Sequence, residues 1–552
     1  SNEFGVGPTR GAGTEETSGY SRRTRKFTEI NYDLKLDFHK DFGEDVNLNA
    51  FVGTNIRRNE VEKVFASTNG GLVVPGIYAL NNSNAWIAPE EDYLVKGVNG
   101  YYIAASVGFK NMAYLDATYR YDVSSTLPKN DWGYGYYSVS GSFLFSEIVE
   151  ADWMQLGKIR LNYATVGNDA PYLSLYDTYD KFTSFSGNAM FSVPSTTNNS
   201  ALKPEMSKSF EAGFEMTMFQ SRLGVDFAYY NTNTQDQIMP VAVSTATGYS
   251  FKYFNAGTIR NSGFEVALRG TPVKNNNFRW DVNLNWAKNN SEVVKLYDEN
   301  GQTVNNLQLG RLQGGVTINA MVGQPYGVIQ GQDFVYAPDG QKVVGSNGYY
   351  LKSPTSDNVL GNVNPDFNMG LNNALNYKNF GFSFLIDWQQ GGSLFSLDQY
   401  YGLATGLYEE TDYTNDLGNP VRNSIADGGG LIVEGVVENE DGSYSPNTTR
   451  VEGGDYRVFG YSRNPNAAFI YDATYVKLRE VVLTYNMPRK IMDKTFIHGA
   501  SFSLVGGNLW ILYKDLPHAD PEASQGAGNI QGWQSGVMPS LRTIGFNIKL
   551  QF

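Results

Sequence analysis

A chain of 552 residues that is 41% hydrophobic and 18% charged is too long for one soluble core and too poor in apolar runs for helical membrane spans. With 59 Gly, 37 Tyr and 32 Phe but no cysteine, it is no disulfide scaffold, thiol enzyme, zinc ribbon or iron–sulfur protein. A net charge of −13 disfavours nucleic acid, and the three scattered histidines, His39, His498 and His518, are too few for a His-built metal centre.

The first legible element is NYDLKLDFHK, where Tyr32, Leu34, Leu36 and Phe38 alternate with Asp33, Lys35, Asp37 and His39. A period of two makes this a strand with one apolar and one charged face. The pattern returns at Leu115 to Asp122, Phe210 to Met216, Phe278 to Trp286 and Ile544 to Phe552. Runs of this kind predict fifteen strands, near 27–40, 46–63, 99–110, 112–123, 134–146, 157–166, 208–218, 222–237, 252–269, 277–289, 366–376, 380–390, 470–486, 498–510 and 541–552. Many reach the roughly 9–11 residues that a tilted strand needs to cross a bilayer, against about 5–6 in soluble proteins.

The connections alternate in size. Odd-numbered strands are followed by brief turns such as Asp41 to Asp45 and Phe219-Gln220-Ser221. Even-numbered strands are followed by long segments near 64–98, 124–133, 167–207, 238–251, 290–365, 391–469 and 511–540. Long loops on one side and short turns on the other predict an all-β fold, an antiparallel transmembrane β-barrel. Soluble β-sandwiches would not sort their connections by parity, and no repeat or linker divides the chain. Single-chain bacterial barrels have an even number of strands with both ends periplasmic. Fifteen is odd, so an odd number of strands is expected upstream of Ser1, making residues 1–552 the C-terminal portion of a larger barrel.

Several segments then carry a family resemblance. LKPEMSKSFEAGFE from Leu202, NSGFEVALRG from Asn261, NPDFNMGLNNALNYKNFGFSFLIDWQQGG from Asn364, DATYVKLREVVLTYNMP from Asp472, GGNLWIL from Gly506, DPEAS from Asp520 and the terminal LRTIGFNIKLQF follow one another. Their order resembles the SusC-like branch of TonB-dependent transporters of Bacteroidetes. The resemblance implies a 22-stranded barrel whose plug and TonB box precede this stretch. It implies energy from the TonB-ExbB-ExbD complex and a SusD-like lipoprotein lid, with SusC–SusD pairs associating as a dimer. It also implies a Gram-negative outer membrane, with lipid and lipopolysaccharide around the wall. The expected function is active import of oligosaccharides, with oligopeptides as the alternative and a non-transporting adhesin or scaffold as the more distant one. No enzyme activity, cofactor or nucleic-acid partner is expected.

Substrate contacts are expected among loop tyrosines: Tyr172, Tyr176, Tyr179, Tyr400, Tyr401, Tyr408 and Tyr413. Sugar faces and peptide side chains both pack on phenol rings, although Tyr and Trp also line the interfacial girdles of any barrel. Trp280, Trp286, Trp388 and Trp510 lie on apolar strand faces and read as lipid-facing anchors. Asp33, Lys35, Glu211, Glu215 and Arg279 are assigned to the lumen, and Phe552 resembles the terminal signal for outer-membrane assembly. Glu438, Glu440 and Asp441 lack the twelve-residue calcium loop and read as a solvated turn. The adjacent pairs Glu90/Glu91 and Glu409/Glu410 point to opposite strand faces and make no glycosidase dyad. Gly5, Gly7 and Gly11 fit no dinucleotide spacing and read as a loop.

Overall fold

The computed structural model describes residues 2–4, 18–299, 302–493, 496–523, 528 and 530–552. Gly5, Gly7 and Gly11 lie outside them. One antiparallel sheet of sixteen strands dominates, comprising the three-residue strand Asn2–Phe4 and fifteen longer ones. In chain order these are β1 Gly19–Phe42, β2 Val46–Ser67, β3 Glu90–Phe109, β4 Ala113–Ser124, β5 Gly133–Leu144, β6 Met154–Asn168, β7 Glu205–Met218 and β8 Leu223–Gln235. They continue with β9 Thr258–Lys274, β10 Phe278–Lys295, β11 Phe367–Tyr377, β12 Phe380–Gln390, β13 Tyr475–Asn486, β14 Gly499–Lys514 and β15 Thr543–Gln551. Each is hydrogen-bonded to its neighbours in sequence order, as an up-and-down meander requires.

The fifteen predicted strands are all present, but several extend further than their hydrophobic pattern. β2 and β3 stay paired up to Phe65 opposite Glu90, so the loop expected at 64–98 shrinks to 68–89. Alternation of apolar and polar residues is imposed by lipid, whereas the hydrogen-bond ladder continues into water with polar side chains on both faces. The remaining long loops run 125–132, 169–204, 236–257, 296–366, 391–474 and 515–542. Parity of loop length holds except at 125–132, which is shorter than the short-side connections 145–153 and 487–498, the latter carrying a helical turn.

Two expected strands are interrupted. Phe251–Asn255 pairs with Ile238–Ala242 in a separate small sheet, and β9 starts only at Thr258, after Gly257 takes φ 99°. Ile470–Asp472 likewise pairs with Ser393–Phe395, leaving β13 to begin at Tyr475.

The chain divides into two compact units, Ser1–Gly141 with Tyr163–Lys208 and Asp236–Ala256, and Ser142–Asn162 with Ser209–Gln235 and Gly257–Phe552. Within each, buried apolar clusters involve the loops. Leu127, Tyr134, Ala170 and Leu202 form such a cluster in the first unit. Val316, Ile318, Ile329, Phe395, Leu397 and Phe469 form one in the second. The wall strands instead expose their large apolar side chains, Leu34 by 73% and Phe546 by 80%. A sheet that turns its apolar face outward and keeps its core in its loops is built for lipid. No helix among the described residues is long and apolar enough to cross a membrane; the crossing elements are strands.

Candidate functional site

The polar face of the wall is paired within itself. Arg160 reaches Asp226 at 2.8 Å and Glu211 at 3.4 Å, Lys35 meets Asp37 at 2.7 Å and Arg279 meets Asp281 at 2.7 Å. Opposite charges compensate across the face, which suits polar contacts better than ion selection.

Among the described residues, the densest ionic cluster lies at the start of β13. Tyr475, Lys477 and Arg479 share one strand face by the period of two, and Arg479 is skipped in the ladders to both β12 and β14. That bulge shifts the phase of the strand. Val476 and Leu478 oppose Trp388 and Ile386 before it, and Val481, Leu483 and Tyr485 oppose Phe384, Phe382 and Phe380 after it, so the apolar face continues while Arg479 is re-aimed.

Lys477 is 3% exposed and binds Asp520 and Glu522 at 2.5 Å each. Arg479 bridges Asp387 and Glu522, the Ser540 hydroxyl donates to Asp520 at 2.6 Å, and the Tyr475 hydroxyl donates to Glu522. Loop 515–542 is thereby fastened to the wall. Its far end, Trp533–Gln534, adds a parallel pairing to Phe395–Ser396.

Burial alone would raise the Asp520 and Glu522 carboxyls. Hydrogen bonds from Lys477 and Ser540 to Asp520, and from Arg479 and Lys477 to Glu522, hold both below the usual carboxylate range. A carboxylate with a lower pKa folded than unfolded contributes stability above its unfolded value of about 4, and loses it as pH falls through the folded value. Hydrogen exchange of residues 515–523 should therefore stay slow from neutral pH to about pH 5 and accelerate below about pH 4, after correction for intrinsic exchange. Acceleration already on going from neutral to mildly acidic pH would contradict this.

The predicted tyrosines fall into distinct settings. In the first unit, Tyr172 lies under Lys96 at 6.0 Å, beside the Lys96–Asp169 pair at 2.5 Å, whereas Tyr176 and Tyr179 are exposed. In the second unit, Tyr400 and Tyr401 are in contact. Tyr408 instead stacks on His518 at 4.4 Å, whose Nε2 meets the Glu410 carboxylate at 2.8 and 3.0 Å. Tyr413 is exposed in the turn that pairs its carbonyl with the Val421 N–H. Sequence reasoning missed Tyr461, which stacks on Tyr400 at 4.7 Å, because it lies in an irregular segment with no periodic signal. It also missed the Lys477 cluster, although the spacing of two between Lys477 and Arg479, and again between Asp520 and Glu522, was visible.

Trp510 is openly exposed, whereas Trp280, Trp286 and Trp388 are half-buried. Trp280 donates its indole N–H to Asn373 at 3.1 Å, covering a polar residue on the apolar face. Asp441 accepts from the Ser443 N–H at 2.9 Å within the hairpin of Val436–Glu438 and Tyr444–Pro446, a local turn. Phe552 is exposed and stacks on Phe496 at 5.9 Å.

The family model described as TonB dependent receptor-like, beta-barrel matches residues 2–319. The chain belongs to that family. The outer-membrane localisation read from the strand pattern and the motifs is borne out. Similar curated proteins include TonB-dependent receptor P3 of Formosa agariphila, 27% identical over 98% of this chain and 54% of that protein. Another is TonB-dependent receptor SusC of Bacteroides thetaiotaomicron, 25% identical over 58% of this chain and 34% of that protein, in keeping with the SusC-like resemblance. A solved structure, that of the RagAB peptide transporter, superposes with a TM-score of 0.73 at 19% identity, over 96% of this chain and 56% of that one. The chain spans about half the length of P3, and its fold is that of a TonB-dependent receptor barrel wall.

Proposed function

We propose that this chain forms the wall and extracellular rim of a TonB-energised importer of oligosaccharides that works with a SusD-like lipoprotein lid. The observation that supports the reading is the ordered loop assembly: long segments on one side of the sheet bury their own cores and still present tyrosines such as Tyr401 and Tyr413 to solvent. Long ordered loops in compact proteins are usually functional. A lipoprotein closing over this rim would bury more than about 2,000 Å², as stable complexes do. The TonB-ExbB-ExbD complex would supply energy through a plug outside this sequence, and the pairs would associate as dimers. Phe552 would serve as the assembly signal.

The sheet edges fit a larger barrel. Among the described residues, the free edge of β1 is paired only at Gly19–Ser21, by Asn2–Phe4, and β15 is bonded only to β14. Unpaired backbone is not tolerated in lipid, so in the membrane both edges need a partner.

A strain lacking the gene should lose uptake of fluorescent oligosaccharides and keep uptake of oligopeptides, and gentle detergent extraction should recover the protein with a lipoprotein. Loss of peptide uptake alone would replace the substrate class, and recovery of a bare barrel would remove the lid.

A further inference from the structure

We propose that Tyr400, Tyr401 and Tyr461, with Gln313 at their edge, form a rigid platform for a pyranose unit of a neutral oligosaccharide; this rests on the glycan reading above. Tyr400 stacks on Tyr461 at 4.7 Å and 15°. Tyr401 meets Tyr400 edge-on at 5.1 Å and 90°, and Tyr461 at 5.3 Å and 75°. Behind them stand the buried rings of Phe395 and Phe469, edge-on to Tyr400 at 5.5 and 5.1 Å. The front remains open, with Tyr401 40% and Tyr461 39% exposed.

Five separate segments fix this arrangement. Tyr400 and Tyr401 belong to the short helix Leu397–Gly402, capped by the Ser396 hydroxyl. The Lys352 ammonium donates to the carbonyls of Tyr461 and Ser462 at 3.1 and 3.2 Å. The Gln313 side-chain amide donates to the Tyr401 hydroxyl at 3.2 Å, and the Gln313 carbonyl accepts from the Trp533 indole at 3.2 Å. Large aromatic side chains held open in this way lose little entropy on meeting a ligand.

The chemistry of the rim selects the ligand. Burial, then the neighbouring Tyr401 and Tyr461, push the Tyr400 phenol up, so it stays a neutral donor at physiological pH. No hydrogen-bond partner engages the Tyr400 or Tyr461 hydroxyl among the described residues, whereas Tyr401 is held by Gln313. Phenol rings offer faces for the C–H surface of a sugar, and hydroxyls and an amide at their edge match its hydroxyls. The Lys352 ammonium is turned to backbone carbonyls and the Arg463 guanidinium lies over the Tyr349 ring at 4.2 Å, so neither is hydrogen-bonded to the platform hydroxyls. The platform itself offers only uncharged ring faces, hydroxyls and an amide.

The test uses the detergent-solubilised full-length protein on a panel of short gluco-, manno-, galacto- and xylo-oligosaccharides, acidic oligosaccharides and random oligopeptides. Neutral oligosaccharides should bind, Tyr461→Ala and Tyr401→Ala should each weaken them about tenfold or more, and Tyr461→Phe should weaken them less. Binding within about twofold of wild type in both alanine variants would overturn the platform and leave the glycan reading standing. Retention of peptides or acidic glycans without neutral ones would overturn both, and retention of no probe would count against the platform. Should an alanine variant fail to fold, Tyr461→Phe and Gln313→Ala carry the test, and wild-type affinity in both would overturn it.

Discussion

Replacing Lys477 with Met should loosen residues 515–523 against the wall and cost about 3–5 kcal/mol, because it leaves Asp520 buried without its cation. Lys477 and Asp520 are both almost inaccessible, with 3% and 6% of their side chains exposed, so solvent cannot replace the lost partner. Arg479 still holds Glu522, and for that reason the loop should loosen locally before the sheet unfolds. The double change Lys477→Met with Asp520→Asn should recover part of the loss, since it removes the stranded charge as well. Hydrogen exchange of residues 515–523 together with denaturant unfolding measures both steps. Unchanged protection in Lys477→Met would show that the cluster does not hold the loop.

The second large effect is expected on the outer face. Phe546→Arg places a guanidinium where an 80% exposed ring faces lipid, and should destabilise the assembled barrel by about 2–4 kcal/mol near mid-membrane. Asn547→Ala, one residue on and on the opposite face, should be mild. Folding yield in lipid vesicles, followed by urea unfolding, separates the two. Equal effects on the two faces would contradict the orientation of the wall.

The wall was legible in the sequence because its strands separate two solvents. Leu34 and Leu36 meet lipid and Asp33 and Lys35 meet water, so the period of two survives without any knowledge of tertiary contacts. The same signal misplaced the strand tops, because Arg22, Arg23, Arg25 and Lys26 of β1 and Glu90, Glu91 and Asp92 of β3 remain in the ladder where the apolar alternation has ended. It could not show the break after Asn255, which follows from pairing with Ile238–Ala242. The candidate site was least legible. Lys477 finds Asp520 across 43 residues, and Gln313 finds Trp533 across 220, separations over which local pattern carries no information. Tyr400 and Tyr401 were singled out by residue type, whereas their partner Tyr461 required the fold.

The sidedness of the connections decides how this chain sits in the outer membrane, and a sequence without cysteine makes it directly measurable. Single cysteines would be placed in the full-length protein at Tyr179 and Asp441 in long loops, and at Glu44, Gln220 and Asn276 in short turns, then exposed to a membrane-impermeant maleimide on intact cells. The loop positions should label on intact cells and the turn positions only after the outer membrane is permeabilised. Labelling of Glu44, Gln220 or Asn276 on intact cells, with the loop positions protected, would contradict the assignment of this chain to an outer-membrane barrel with an extracellular rim.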